Sequence, residues 1–577
     1  MIDRHAMNVS HNLMVRMRDG VRLATDLYRP MREDGSAHPG PLPTILTRTS
    51  YNKSAEPMVI EPIARFFTRH GYAVVLQDLR GRGKSEGTGQ YFHIANIHEG
   101  EDGYDTIEWI AAQSWSNGRV GMVGSSHLGI VQNVAALHRP PHLTAIWADV
   151  APTKAIDGCN HEGGAMALHM FGAMFLHGYD AQEIADNPAA RAWMERDAEE
   201  LRGLLAQMPF RPGTMAITTI PAIEQTLFRY YRNGTLDEWW NMETMHQRDK
   251  WHRFADIPAT VSSGWYDPFA TDAAEQFLSL SRQNRSPTRL ILGPWNHGGV
   301  RSGGSGRRTT RGLLDHGGAW RSGSAWPPPE TREETWHLHE DGLLSPAAPR
   351  DAKVSWEHDP DHPVPSIGAA VTGFSEWLKL PEGINPAWTQ PRARMRSIIP
   401  DGPMHQRERA DLVGCRAPYR LLAARSDVLV FQTPPLERAV EIIGAITVRL
   451  SISSSAVDTD ITVKFLDVHP PGADWPEGFH MNLVDTIRRG RFRNGYTREE
   501  FMQPGQAHDF VITLPPVANR FNAGHRIRLD IASSNFPRFD VNPGTGEPLG
   551  RHTHSVKALN TLHLGASSVT LPIVNAK

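Results

Sequence analysis

Hydrophobic and polar positions in the first third of the chain fall into short apolar runs separated by amphipathic stretches. "PTILTRTSY" (43–51) and "YAVVLQDLRGRG" (72–83) predict buried strands that end in polar loops. "EDGYDTIEWIAAQ" (101–113) predicts a helix and "RVGMVGSS" (119–126) a third strand. "HLGIVQNVAALH" (127–138) predicts a helix and "LTAIWADVAP" (143–152) another strand. Near-continuous apolar strands alternating with helices imply a parallel sheet covered on both faces. From about 154 to 248 strand-like runs are missing, and "AQEIADNPAARAWMERDAEELRGLLAQM" (181–208) has a helical period. The strand pattern resumes in "IPATVSSGWYDPF" (257–269) and "PTRLILGPWNHGG" (287–299). A helical insertion at that point would roof the C-terminal ends of the strands, where such folds place their sites.

Beyond about 330 the period changes to two. "EIIGAITVRLSISS" (441–454), "TDITVKFLDV" (459–468), "AHDFVITL" (507–514) and "HRIRLDIASSNF" (525–536) alternate apolar and polar residues between Pro- and Gly-rich turns. This pattern predicts an all-β sandwich or jelly roll. The expected fold class is therefore α/β with an added all-β part. The α/β domain is split over 1–153 and 249–330, a helical cap covers 154–248, and a jelly-roll-like domain covers 331–577.

Composition changes this picture little. A chain of 577 residues exceeds one core. The formal net charge of −3 gives no basic excess for nucleic acid or an anionic membrane, and neither partner is expected. The basic run "RSGGSGRRTTRG" (301–312) is short and reads as a loop. Cys159 and Cys415 stand alone, outside any disulfide or zinc spacing. "HDPDH" (358–362) has ligand-like spacing, but prolines lie among and beside its residues, and no metal is expected there. No signal-like apolar core or membrane-length apolar run is present, so a soluble, cytoplasmic protein is expected.

The chemistry centres on "GMVGSSHLGI" (121–130). Ser126 follows a predicted strand and opens a predicted helix, the setting of a nucleophile elbow, usually G-x-S-x-G. Here the spacing is G-x-S-x-x-G, with Gly124 and Gly129. On this stretch alone, Ser126 as a helix N-cap competes with Ser126 as a nucleophile. A nucleophile needs a base and an orienter, which follow in the order Ser, Asp, His in alternating folds. Asp267 in "SGWYDPF" and His297 in "GPWNHGG" come in that order, each after a predicted strand. The backbone N–H of His127 is placed to hold an oxyanion, and the His127 side chain reads as pocket wall. Tyr51, in "RTSYNK", could offer its phenol as a second donor, though from that stretch alone it reads as a packed loop aromatic.

Taken together these residues resemble the CocE/NonD hydrolases and, more distantly, the X-Pro dipeptidyl peptidases. The resemblance rests on "VRMRDGVRLATDLYRP" (15–30), "DLRGRGKSEG" (78–87), "GSSHLG" (124–129), "GWYDPF" (264–269) and "GPWNHG" (293–298). It extends to "HDPDHPVPSIG" (358–368), "SSSAVDTDITVKFLDV" (453–468) and "ASSNFPRFDVNPGTG" (532–546). It implies an α/β-hydrolase domain with a helical cap and a jelly-roll-like domain. It implies Ser126 as nucleophile, Asp267 as orienter, His297 as base and the Tyr51 hydroxyl as oxyanion donor, which reverses the packed-loop reading of Tyr51. Two departures stand out. His127 replaces the family's tyrosine after the serine, and the stretch from Gly298 to Ser324 is short where the family carries a further helix and strand. An exposed sheet edge there would suit a homo-oligomer.

The reaction expected is acyl transfer to water, without metal or organic cofactor, on a small-molecule ester or amide. Trp265, Phe171 and Trp240 are candidate pocket walls for an apolar acyl group, with Met166, Met170, Met174, Phe175 and Trp239 nearby in sequence. Glu162, in "NHEGG" (160–164), is a candidate partner for a substrate amine. X-Pro dipeptidyl-peptidase, β-lactam acylase and amino-acid ester hydrolase activities are the alternatives within the family. A carbohydrate-binding protein using the jelly roll is the non-enzymatic one.

Overall fold

The structure is a computed structural model. It describes residues 2–54, 63–87, 97–170, 187–215, 220–298, 321–368, 370–372, 375–377 and 395–574. The N-terminal part is built on β1 (Ile2–Arg16), β2 (Arg22–Arg32), β3 (Leu42–Thr49), β4 (Ala73–Asp78), β5 (Ser116–Ser125) and β6 (Leu143–Asp149). A small hairpin follows, β7 (His161–Glu162) with β8 (Ala165–Met166), and then β9 (Ala259–Tyr266) and β10 (Thr288–Asn296). Eight strands form one sheet in the order β1-β2-β4-β3-β5-β6-β9-β10. The pairs from β4 to β10 are parallel, and β1 and β2 add an antiparallel edge. The all-buried β4, "AVVLQD", shows why the central strands read as continuous apolar runs: both faces are covered. The helices Glu99–Ala111, His127–Leu137 and Ala270–Gln283 pack against the sheet.

The predicted helical stretch at 181–208 is two helices where it is described, Pro188–Glu199 and Leu201–Leu205. The first starts at an Asn-Pro signal. Asn187 Oδ1 accepts the Ala190 N–H at 3.1 Å, and Pro188 sits at the first helical position. Together with Pro221–Arg232 these helices enclose a core around Met194, Leu227, Tyr230 and Trp240.

The C-terminal part is all-β: β11 (Thr331–Leu338), β12 (Leu344–Ser345), β13 (Lys353–His358), β14 (Ser375–Trp377), β15 (Met395–Ser397) and β16 (Leu429–Gln432) come first. They are followed by β17 (Val440–Gly444), β18 (Thr447–Ser454), β19 (Asp460–His469), β20 (Phe479–Arg489), β21 (Ala507–Thr513), β22 (Val517–Phe521), β23 (Arg526–Ala532) and β24 (Ala558–Val574). An eight-stranded sheet centred on β24 faces the four-stranded sheet β16-β23-β19-β20 across one apolar core. The run predicted as a single strand at 441–454 is divided into β17 and β18. Gly444, at φ 139°, marks the break, and β17 pairs with β22 while β18 pairs with β21. Among the described residues β10 is the edge of the first sheet, and residues 299–320, including the basic run, lie outside the described residues. No described helix is long and apolar enough to cross a membrane.

Candidate active site

Ser126 sits between the end of β5 and the helix His127–Leu137, at φ 60° and ψ −124°. This is a strained conformation for a residue with a side chain. Ser126 stands at the N-cap position of the helix, but its hydroxyl makes no capping bond there. The glycines around it are steric necessities. A Cβ on Gly124 would stand 2.4 Å from Leu128 Cβ, and one on Gly129 would stand 2.5 Å from Ala151 Cβ. Gly129 therefore lets the helix approach the chain following β6, which explains the glycine three residues after the serine rather than two.

Strands β9 and β10 bring the other two polar groups to the same place. Gly264 and Gly293 lie opposite each other in the parallel register, and a Cβ on either would collide with Trp295. The register slips between Gly293 and Asn296, a bulge that turns the end of β10 toward the site. His297 Nε2 is 3.0 Å from Ser126 Oγ, and His297 Nδ1 is 2.8 Å from Asp267 Oδ1. Asp267 is 1% exposed, and its other oxygen accepts the Ser263 hydroxyl. Phe269 packs edge-on against the His297 ring at 5.3 Å. Aspartate, imidazole and serine thus form one hydrogen-bonded line.

Tyr51 reaches the line from the loop after β3. Its hydroxyl is 3.3 Å from Ser126 Oγ and accepts the backbone N–H of His127. Burial pushes the phenol up to about 12, so it stays a hydrogen-bond donor at neutral pH. The "DLRGRGKSEG" loop holds this tyrosine in place. Asp78 accepts the N–H groups of Lys53 at 2.7 Å and Lys84 at 3.0 Å. Arg82 donates to the Ser50 carbonyl at 3.2 Å. A Cβ on Gly83 would fall 2.2 Å from the Asp78 carboxylate, so the loop can close only around glycine.

The His127 side chain is 6% exposed and meets Tyr51 edge-on at 6.2 Å. Burial, with the Arg82 and Arg48 charges, lowers its pKa to about 3, so the ring stays neutral. Sequence reasoning missed His169. It is buried, neither ring nitrogen has a hydrogen-bond partner, and burial with the charges of Arg538 and His297 holds it neutral. One histidine among 28, without a motif, carried no signal.

The pocket candidates fare differently. Glu162 does not present a free carboxylate: it pairs with Arg538 at 2.9 Å and accepts the Thr486 hydroxyl at 2.7 Å. Trp240 is fully buried in the helical core, its indole N–H on the Asn233 carbonyl, so it packs that core rather than facing a pocket. Trp265 is half-buried and stacks on Trp326 at 6.2 Å. Met166 and Met170 are buried, while Phe171, Met174 and Phe175 lie outside the described residues. In the "HDPDH" stretch, Asp359 pairs with Lys557 at 2.9 Å and His358 faces the Asn542 carbonyl, an arrangement of turn and ion pair.

Residues 19–299 match the X-Pro dipeptidyl-peptidase (S15 family) profile, and residues 302–570 match that of the X-Pro dipeptidyl-peptidase C-terminal non-catalytic domain. The chain is 29% identical to cocaine esterase of Rhodococcus sp. (strain MB1 Bresler), over 98% of this chain and 99% of that protein. An aminopeptidase from a marine sediment archaeon (Thaumarchaeota archaeon) shares the fold with a TM-score of 0.75 at 22% identity, covering 99% of this chain and 97% of that one. An α-amino acid ester hydrolase does so with a TM-score of 0.72 at 21% identity, over the same shares. With both halves matched in order, the chain belongs to the X-Pro dipeptidyl-peptidase (S15) family.

Proposed function

We propose that this protein hydrolyses carboxylic esters of small acyl groups through an acyl-serine intermediate. The observation that carries the reading is the hydrogen-bonded line Asp267–His297–Ser126 on a strained elbow. Ser126 Oγ attacks the ester carbonyl while His297 Nε2 takes its proton. Asp267 holds the imidazole tautomer and stabilises its cation. The negative oxygen of the tetrahedral intermediate takes hydrogen bonds from Tyr51 and the His127 N–H. Collapse expels the alcohol, protonated by His297. Water, deprotonated by His297, then releases the acid. The division of labour proposed is that 1–153 with 249–330 carries the chemistry, 154–248 caps it and 331–577 buttresses the cap.

Esters of simple acyl groups are favoured over aminoacyl esters because Glu162 is committed to Arg538 and Thr486. The test is phenylmethylsulfonyl fluoride labelling followed by peptide mass spectrometry. One adduct on Ser126, absent from Ser126→Ala, is expected, with turnover of short-chain acyl esters by the wild type. Folded wild-type protein that takes no adduct would overturn the reading.

A further inference from the structure

Strand β19 ends in "LDVH", which sets Asp467 and His469 two residues apart on one face of the strand. Its antiparallel register with β23 pairs Asp467 with Ile527 and Val468 with Arg526. The next step of that register brings His469 opposite His525. The rings lie 4.2 Å apart, and His525 Nδ1 is 2.8 Å from Asp467 Oδ1. One carboxylate oxygen and one nitrogen from each imidazole all fall within 4.8 Å of one another. We propose that Asp467, His469 and His525 bind a divalent cation of the zinc class at this end of the β sandwich.

Three observations carry this. First, Nε2 of His469 is buried without a hydrogen-bond partner and stands 3.7 Å from the nearest Asp467 oxygen. A buried ring nitrogen left unpaired is costly, and a shared cation would satisfy it. Ligand atoms on tetrahedral zinc lie about 3.3 Å apart, given bonds of about 2.0–2.2 Å, so small side-chain rotations close the site. Second, the carboxylate is oriented from outside: Asn519, on β22 of the facing sheet, donates to Asp467 Oδ2 at 3.1 Å. Such outer partners fix ligand geometry in metal sites. Third, the backbone is held. The His525 carbonyl accepts the Leu436 N–H at 2.8 Å, and its own N–H donates to Asn522. Two imidazoles and one carboxylate select zinc, nickel, cobalt or copper over magnesium and calcium. The three residues come from two chain segments, so the bound ion would staple the end of β19 to the turn before β23. None of them belongs to the Ser126 site.

The experiment uses full-length, tag-free protein stripped with a chelator and then dialysed against Zn²⁺, with metal counted per chain. One equivalent is expected, unaffected by millimolar Mg²⁺ or Ca²⁺, with a melting temperature that rises with free Zn²⁺. His469→Gln, His525→Gln and Asp467→Asn should each weaken binding about tenfold or more, with Ser126 labelling and the metal-free melting temperature kept as folding checks. X-ray absorption on wild-type protein should show two imidazole nitrogens and a carboxylate oxygen, a readout that stands even if a variant misfolds. No stoichiometric binding, a different ligand set, or affinity unchanged in the folded variants would overturn the proposal.

Discussion

The turn that carries Ser126 and the hairpin loop β7–β8 are shaped by opposite means. The turn is shaped locally: Gly124 and Gly129 clear Leu128 and Ala151, all within about one strand–helix unit. The hairpin is shaped from the other end of the chain. Arg538 joins Glu162 to Asp485, the Gly163 carbonyl accepts the Arg489 N–H at 2.8 Å, and Met166 N–H donates to Asp540 at 2.7 Å. A Cβ on Gly163 would fall 1.7 Å from the Ile487 carbonyl, so this hairpin and β20 are in backbone contact. The comparison separates two tasks. The geometry of the Ser126 turn is imposed by sterics close in sequence, whereas the hairpin is imposed by one buried charge pair, Glu162–Arg538, and by hydrogen bonds that also join residues more than 300 positions apart.

If that division is right, substitutions in the two regions should damage different properties. Ser126→Ala should lower kcat for a short-chain acyl ester by about 10⁵–10⁶-fold and leave the unfolding midpoint unchanged. A large stability loss would mean that the turn is also a structural hub. Arg538→Ala should do the reverse. It leaves Glu162 and Asp485 buried without their cation, a cost of about 3–5 kcal/mol, read as a fall in the urea midpoint. Equal stability would show that water reaches these carboxylates. Tyr51→Phe removes one oxyanion donor and should cost about 10²–10³ in kcat, with little change in KM. A change in KM alone would make Tyr51 a binding residue.

The smallest effect concerns His127. Its pKa is about 3 when folded against an ordinary value near 6.5, so the unfolded chain binds the proton first. The His127 contribution to stability is therefore complete above about pH 6.5 and is lost progressively as pH falls toward about 3. At about pH 5 the loss is about 2 kcal/mol. His127→Tyr should reduce the drop in melting temperature between about pH 7 and about pH 5. An unchanged drop would assign the acid sensitivity to other buried histidines, such as His161 and His169.

Much of this was legible in the chain. The "GSSHLG", "GWYDPF" and "GPWNHG" stretches pointed to the line that the structure assembles, because each lies where a strand ends. The helical period within 181–208 was also readable, but not the break between Glu199 and Leu201. Trp240 and Glu162 were not legible as what they are. An aromatic in a helical segment looks the same in sequence whether it faces a pocket or its own core, and a carboxylate looks free until its arginine is found.

The sequence by itself determined the order of strands and helices, the tight turns and the residues that stand at strand ends. Those depend on side-chain period and on backbone sterics acting over a few residues. Only the tertiary structure decided which charges are paired, which aromatics are core, and that Asp467, His469 and His525 share one corner. Those depend on partners far apart in the chain, and in a low-dielectric interior the partner decides whether a buried polar group is spent or available.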